Sequence, residues 1–156
     1  MSAADLLAAC RARGLTIATA ESCTGGMVAA ALTDLPGSSE MFLWGAVTYA
    51  NAAKRTMLGV PQAILVAHGA VSEEVARAMA EGARLKSDAS LAVAVTGIAG
   101  PGGSEHKPEG RVCFAVATGH GTRTETVEFG ARGRDAVRHA ARDHAIGLLL
   151  QAAAEP

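Results

Sequence analysis

The chain has 156 residues, 49% of them apolar, and a formal net charge of −1 at pH 7. This length predicts one domain, residues 1–156, whose core needs neither a disulfide nor a metal for stability. The balanced charge argues against nucleic-acid binding. No apolar run approaches the roughly 20 residues that cross a bilayer, and the N-terminus lacks the pattern of a signal peptide. Three cysteines at unrelated spacings indicate free thiols and a cytoplasmic location.

Apolar spacing in the first half predicts helices over 3–13, 27–32 and 51–58, and strands over 15–20 and 41–49. Gly14 and Gly59 are placed to end the helices that precede them. Pro36 and Gly37 mark a turn. Asn51 is predicted to cap the helix that follows it.

The second half predicts a helix over 75–86, introduced by Ser72, then a strand over 90–96, a hairpin over 111–117 and 122–129, and a closing helix over 135–153. Helices that alternate with strands are typical of a three-layer α/β/α sandwich. Because the hairpin is antiparallel, the sheet is expected to be mixed, although mostly parallel.

Two glycine-rich loops, residues 22–26 and 96–103, follow two predicted strands. Since binding sites in open α/β sheets form at the carboxyl ends of the strands, both loops are expected to face one crevice. Glycine permits close approach of the backbone to a ligand, and N–H-rich loops suit anions. Neither loop matches a Walker or G-x-G-x-x-G motif. The competing interpretation is that the glycines only close tight turns.

Ser22 and Lys54 form a candidate nucleophile and base. A neutral lysine can take the proton of a serine hydroxyl. Lowering a lysine pKa to roughly 7–8 requires about 3–4 kcal/mol of destabilisation of the cation. By position alone, however, Ser22 favours a helix N-cap and Lys54 a solvated helix lysine. Tyr49 is either a core aromatic or a residue whose hydroxyl positions a substrate.

Other candidates are weaker. Cys23 is a rival nucleophile, because a cysteine at a helix N-terminus can have a depressed pKa, but a lone cysteine is more often a small buried apolar residue. The five histidines show no metal-binding spacing, so no metal is expected. The basic residues near the C-terminus favour a solvated helix face balanced by two aspartates; these basic residues are Arg132, Arg134, Arg138 and Arg142.

Four blocks resemble the signature of the CinA C-terminal domain family, whose members are nicotinamide-nucleotide amidases. They are AESCTGG (20–26), GAVTYANAAK (45–54), HGAVS (68–72) and TGIAGPGG (96–103). The resemblance covers about residues 6–150. A fifth stretch, GRDAVR (133–138), resembles a basic motif of the family that opens the last helix.

The resemblance implies hydrolysis of nicotinamide mononucleotide to nicotinate mononucleotide and ammonia, a step of pyridine nucleotide recycling that needs no cofactor. It also implies an α/β/α sandwich and a homodimer. The family's nucleophile falls on Ser22, and its tyrosine and lysine fall on Tyr49 and Lys54. The substrate-binding candidates in the matching blocks are Glu21, Thr24, Gly25, Gly26, Asn51, Thr96, Gly97, Gly100, Gly102, Gly103, Arg134 and Arg138.

Many relatives carry a further N-terminal domain, and this sequence resembles the stand-alone form. Some family members are inactive as deamidases. The alternative hypothesis is therefore a non-catalytic nucleotide- or partner-binding module, and a cysteine hydrolase that uses Cys23 is the third.

Overall fold

The structure, a computed structural model, describes residues 2–155. Its elements are α1 (Ala3–Arg13), β1 (Ile17–Glu21), α2 (Met27–Thr33), β2 (Phe42–Val47), α3 (Asn51–Leu58), α4 (Gln62–His68), α5 (Glu73–Ser87), β3 (Leu91–Gly97), β4 (Arg111–Thr118), β5 (Gly121–Glu128) and α6 (Arg134–Ala154), with a 3₁₀ turn at Ser38–Glu40.

The five strands form one mixed sheet in the order β2-β1-β3-β4-β5. Strand β1 pairs in parallel with both β2 and β3, whereas β4 is antiparallel to β3 and β5. Four strands therefore run in one direction and β4 runs against them. The carboxyl ends of β1, β2 and β3 meet at one edge of the sheet, which confirms the predicted mixed α/β arrangement.

The sheet separates two apolar cores, which gives the three predicted layers. Helices α1, α2 and α6 cover one face and pack on larger strand residues such as Val93 and Phe114. Helices α3, α4 and α5 cover the other face, where the strands present alanines such as Ala92 and Ala94. Small strand residues let these helices lie close to the sheet, and the α3–α5 contact is so tight that a Cβ at Gly82 would lie 2.0 Å from the Leu58 carbonyl oxygen.

Most predicted elements are confirmed, and two differences matter. Asn51 does not cap α3: Ala50 has the extended backbone of the N-cap position, and no side chain bonds to the first turn. Helix α4 is missing from the predictions, because its seven residues are too few to show a helical repeat. No helix in the range 2–155 is both long enough and apolar enough to span a membrane.

Candidate active site

Ser22 lies directly after β1, at the edge where three parallel strands end. Its backbone N–H donates to the carbonyl oxygen of Val95 on β3, at 2.9 Å. The chain then turns through Gly25 and Gly26, whose φ angles of +58° and +106° are ones that favour glycine. Gly26 is the N-cap of α2, so the interpretation of Ser22 as a helix cap is wrong, and its hydroxyl is available for another contact.

The buried Glu21 carboxylate holds this turn in place through hydrogen bonds. It is 1% exposed and accepts from the Thr24 hydroxyl at 2.6 Å and from the N–H groups of Val28 and Ala29 at 2.9 and 3.0 Å. A carboxylate at a helix N-terminus is stabilised by the N–H groups and the helix dipole. The Glu21 carboxylate thus ties the Thr24 hydroxyl to the first turn of α2 and holds the serine loop (residues 22–26) in place. Neither side chain borders the cavity described below.

Lys54, on the inner face of α3, points at Ser22. The side chain is 1% exposed, so the interpretation of a solvated helix lysine is wrong. Its Nζ donates to Ser22 Oγ at 3.0 Å and to the carbonyl oxygens of Thr48 and Tyr49 at 2.8 and 3.0 Å. The chain leaving β2 curls around the amine and holds it against the serine.

Burial of Lys54 lowers its pKa from 10.5 to about 8, although the neighbouring Cys23 and Glu105 side chains act in the opposite direction. Burial favours the neutral form because a cation loses hydration energy there. A neutral amine has two N–H donors and one lone pair. The Thr48 and Tyr49 carbonyls can take both donors, which leaves the lone pair for the Ser22 hydroxyl. This arrangement suits a serine nucleophile with a lysine base.

Both glycine loops border one cavity of about 160 Å³ above this pair, as their sequence positions predict. Its lining comes from Ser22, Cys23, Tyr49, Lys54, Ala70, Val71, Thr96, Gly97, Ile98, Ser104 and Glu105. Two larger hollows, of about 470 and 500 Å³, lie at the opposite end of the sheet, and a third, of about 500 Å³, adjoins the smaller cavity at Val71. We place the site at the smaller cavity, because the buried base and its serine are found there.

The second glycine loop, residues 96–103, borders the cavity only with its first three residues, 96–98. Thr96 is buried and its hydroxyl donates to the Ala70 carbonyl oxygen at 2.8 Å, so this side chain orders the cavity wall. Gly100 sits farther out and offers its carbonyl to Arg134. The last two glycines of the loop, Gly102 and Gly103, and also Asn51, do not border the cavity.

Helix α6 brings two arginines to the same edge. Arg134 donates to the Gly100 carbonyl oxygen at 2.7 Å and to the Tyr49 hydroxyl at 2.8 Å. Tyr49 is 59% exposed, which excludes its interpretation as a core aromatic residue. Arg138 donates through Nε to the Cys23 carbonyl oxygen at 3.0 Å, and one of its terminal nitrogens lies 3.5 Å from the Thr24 carbonyl oxygen. Of the C-terminal arginines, Arg134 and Arg138 therefore contact the site, whereas Arg142 forms an ion pair with Asp143.

The chain matches the model of the CinA C-terminal domain over residues 1–153. It belongs to that family. A putative competence-damage inducible protein of Symbiobacterium thermophilum is 55% identical over 147 residues, which cover 88% of this chain and 34% of the relative. The chain spans about a third of the length of the first curated relatives it matches.

Two further relatives match this CinA domain over nearly their whole length. Nicotinamide-nucleotide amidohydrolase PncC of Escherichia coli K12 is 51% identical over 144 residues, which cover 92% of this chain and 87% of PncC. The crystal structure of competence/damage inducible protein CihA from Agrobacterium tumefaciens superposes with a TM-score of 0.92 at 45% identity, over 96% of this chain and 92% of that one.

In this CinA domain the Cys23 thiol is an unsuitable nucleophile. It is 4% exposed, and burial raises its pKa to about 12 despite the nearby Arg138. The expectation that Cys23 has a depressed pKa is therefore wrong, because the loss of hydration on burial raises the pKa more than the nearby helix N-terminus lowers it. In the range 2–155, no group of three or more His, Cys, Asp or Glu side chains is arranged to hold a metal.

Sequence reasoning missed three parts of the CinA site. Ala70 and Val71 fall in the HGAVS block, but their place in the cavity wall follows from α4, which was not predicted. Glu105 lies beyond the second glycine loop, and nothing in its local sequence marks it. The carbonyls of Thr48 and Tyr49 carry no sequence signal at all, since every residue has one.

Proposed function

We propose that this chain hydrolyses the carboxamide of nicotinamide mononucleotide to nicotinate mononucleotide and ammonia. The observation that carries the proposal is the buried Lys54 amine, 3.0 Å from the Ser22 hydroxyl and held by two carbonyls. The similarity to PncC, which is named a nicotinamide-nucleotide amidohydrolase, supports a nicotinamide nucleotide as the substrate. The homodimer and the cytoplasmic location stay predictions.

The reaction proceeds through an acyl-enzyme. Neutral Lys54 takes the Ser22 proton while Oγ bonds to the carboxamide carbon, and the carbonyl oxygen becomes an oxyanion. As the C–N bond breaks, protonated Lys54 gives its proton to the nitrogen, which leaves as ammonia. A water molecule then attacks the ester, Lys54 takes a proton from it, and Ser22 recovers that proton as nicotinate mononucleotide forms.

The turn after Ser22 is the source of oxyanion donors in this proposal. In this turn the Gly25 N–H donates to the Ser22 carbonyl oxygen and the Met27 N–H to the Thr24 carbonyl oxygen. The other amides of this turn, those of Cys23, Thr24 and Gly26, have no backbone carbonyl acceptor among residues 2–155. Removing one oxyanion donor typically costs roughly 3 kcal/mol of transition-state stabilisation.

The size of the cavity supports the substrate. About 160 Å³ is close to the roughly 150 Å³ that holds one benzene ring in an apolar cavity. The pyridine ring fits inside, and the ribose and phosphate extend outward. We assign the phosphate to Arg134, whose planar guanidinium suits phosphate oxygens and which lies beside Tyr49 and Gly100 at the rim. Arg138 contacts the serine loop, so its part is to hold that loop in position.

Ammonia release from nicotinamide mononucleotide tests the proposal. Wild type should turn over, while Ser22→Ala and Lys54→Ala should lose at least about 10³-fold in kcat. Cys23→Ala is the matched control, since it alters the neighbouring side chain and should keep activity within a few-fold. Binding of the mononucleotide without turnover by wild type would favour the non-catalytic module instead. Loss in Cys23→Ala, with activity kept in Ser22→Ala, would favour the cysteine hydrolase.

A further inference from the structure

Glu105 occupies the tip of a tight turn over the cavity mouth. Ser104 and Lys107 form a two-residue antiparallel bridge, and the residues between them, Glu105 and His106, have φ angles of +52° and +64°. Two consecutive left-handed residues are the pattern of a type I′ turn. Glycine, asparagine and aspartate are usual at such positions, so a glutamate there is a departure from the usual turn chemistry.

The turn is anchored to the cavity wall. The Lys107 Nζ donates to the carbonyl oxygens of His68 and Val71, both at 2.6 Å. His68 ends α4 and Val71 lies in the link to α5, so the two carbonyls stand on either side of Gly69 and Ala70. The Glu105 carboxylate lies over that glycine, where a Cβ would come within 3 Å of its Oε2. The absence of a side chain at Gly69 therefore gives the carboxylate its place.

Glu105 stands at the mouth of the cavity that contains the reaction centre. Its side chain borders the same cavity as Ser22 and Lys54, and its charge acts on the buried amine, raising the pKa that burial lowers. Within residues 2–155 the carboxylate forms no ion pair within 4 Å. The Lys107 ammonium lies nearby, 3.0 Å from where a Gly69 Cβ would stand, but it donates to two carbonyls and not to the carboxylate. The Glu105 oxygens therefore remain open to a charge on a ligand.

We infer that Glu105 is a specificity-determining residue that recognises the positive charge of an N-substituted pyridinium ring in the cavity. This inference rests on the proposed function, because the ring of nicotinamide mononucleotide is such a cation. Glu105 is exposed at the cavity mouth, so solvent screens its charge and its attraction for a cation in the cavity is modest, as for other exposed charge pairs. The product gains a carboxylate at the reacting carbon, and repulsion from Glu105 promotes its release.

The test compares two ligands that differ in ring charge. Nicotinamide mononucleotide has a cationic ring, whereas its dihydro form keeps the same carboxamide, ribose and phosphate on a neutral ring. Dissociation constants for both are measured calorimetrically in a Ser22→Ala background, with and without Glu105→Gln. We expect Glu105→Gln to weaken binding of the cationic ligand about three- to tenfold and to change the neutral one less than about twofold.

Glu109→Gln is the control. Glu109 belongs to the same loop, and its substitution removes the same charge. Glu109 does not border the cavity, and its Oε1 accepts from Gly102 N–H at 2.6 Å. Glutamine keeps that bond, so the binding ratio of the two ligands should not change. Equal effects of Glu105→Gln on both ligands, or no effect on either, would overturn the inference. Failure of the wild-type chain to release ammonia would instead count against the proposed function.

Discussion

Replacing the buried base should stabilise the fold near neutral pH and destabilise it in alkali. In Lys54→Met the side chain loses its amine and is one heavy atom shorter, but it stays unbranched and keeps the apolar part of the lysine stem. The wild-type lysine has a folded pKa of about 8, against 10.5 when exposed. A pKa that is lower in the folded state means that the unfolded chain binds more protons, so wild-type stability rises with pH between these two values.

The size of the effect follows from linkage. At pH 7 almost the whole shift is expressed, and the lysine costs the folded state about 3 kcal/mol; at pH 9.5 the cost falls to about 1 kcal/mol. The variant also leaves the Thr48 and Tyr49 carbonyls without a donor, at about 1 kcal/mol each. Lys54→Met should therefore be about 1 kcal/mol more stable than wild type at pH 7 and about 1 kcal/mol less stable at pH 9.5.

Urea unfolding of both proteins at the two pH values measures this difference. Lys86→Met is the matched control, because Lys86 is an exposed helix lysine whose removal should have the same effect at both pH values. If the stability difference between Lys54→Met and wild type were unchanged from pH 7 to pH 9.5, the amine would not be destabilised in the folded protein. The argument for a neutral base would then fail.

Three further outcomes are expected. Turnover at saturating substrate should rise about tenfold per pH unit up to about pH 8 and then level, because Lys54 must be neutral to act. If the plot of kcat against pH instead levelled at about pH 6.5, the base would be a histidine. Arg134→Ala should raise KM for nicotinamide mononucleotide at least about tenfold and leave hydrolysis of free nicotinamide unchanged, and equal effects on both substrates would remove the phosphate assignment. Gly82→Ala should lower the free energy of unfolding by about 1–3 kcal/mol, because its Cβ would meet the Leu58 carbonyl; unchanged urea midpoints would show that α3 and α5 separate easily.

The sheet and its loops could be predicted because their signals are local. Apolar runs of the right length gave β1 and β3, and glycines after each run placed two loops at one edge of a parallel sheet. The Asn51 cap was wrong because the backbone angles of Ala50, which no side-chain preference reveals, decide where α3 begins. Helix α4 was missed for a different reason, since seven residues carry too little periodicity.

Sequence alone determined the family, the alternation of helices and strands that makes an α/β/α sandwich, and the choice of Ser22 and Lys54 as the candidate nucleophile and base. Only the tertiary structure decided that Lys54 is buried against Ser22, that Cys23 is an inert thiol, and that Glu105 reaches the cavity. Each of these depends on distances between residues far apart in the chain and on exclusion of water by the packed layers. Burial changes a pKa, and burial is a property of the folded molecule, which no single stretch of sequence contains.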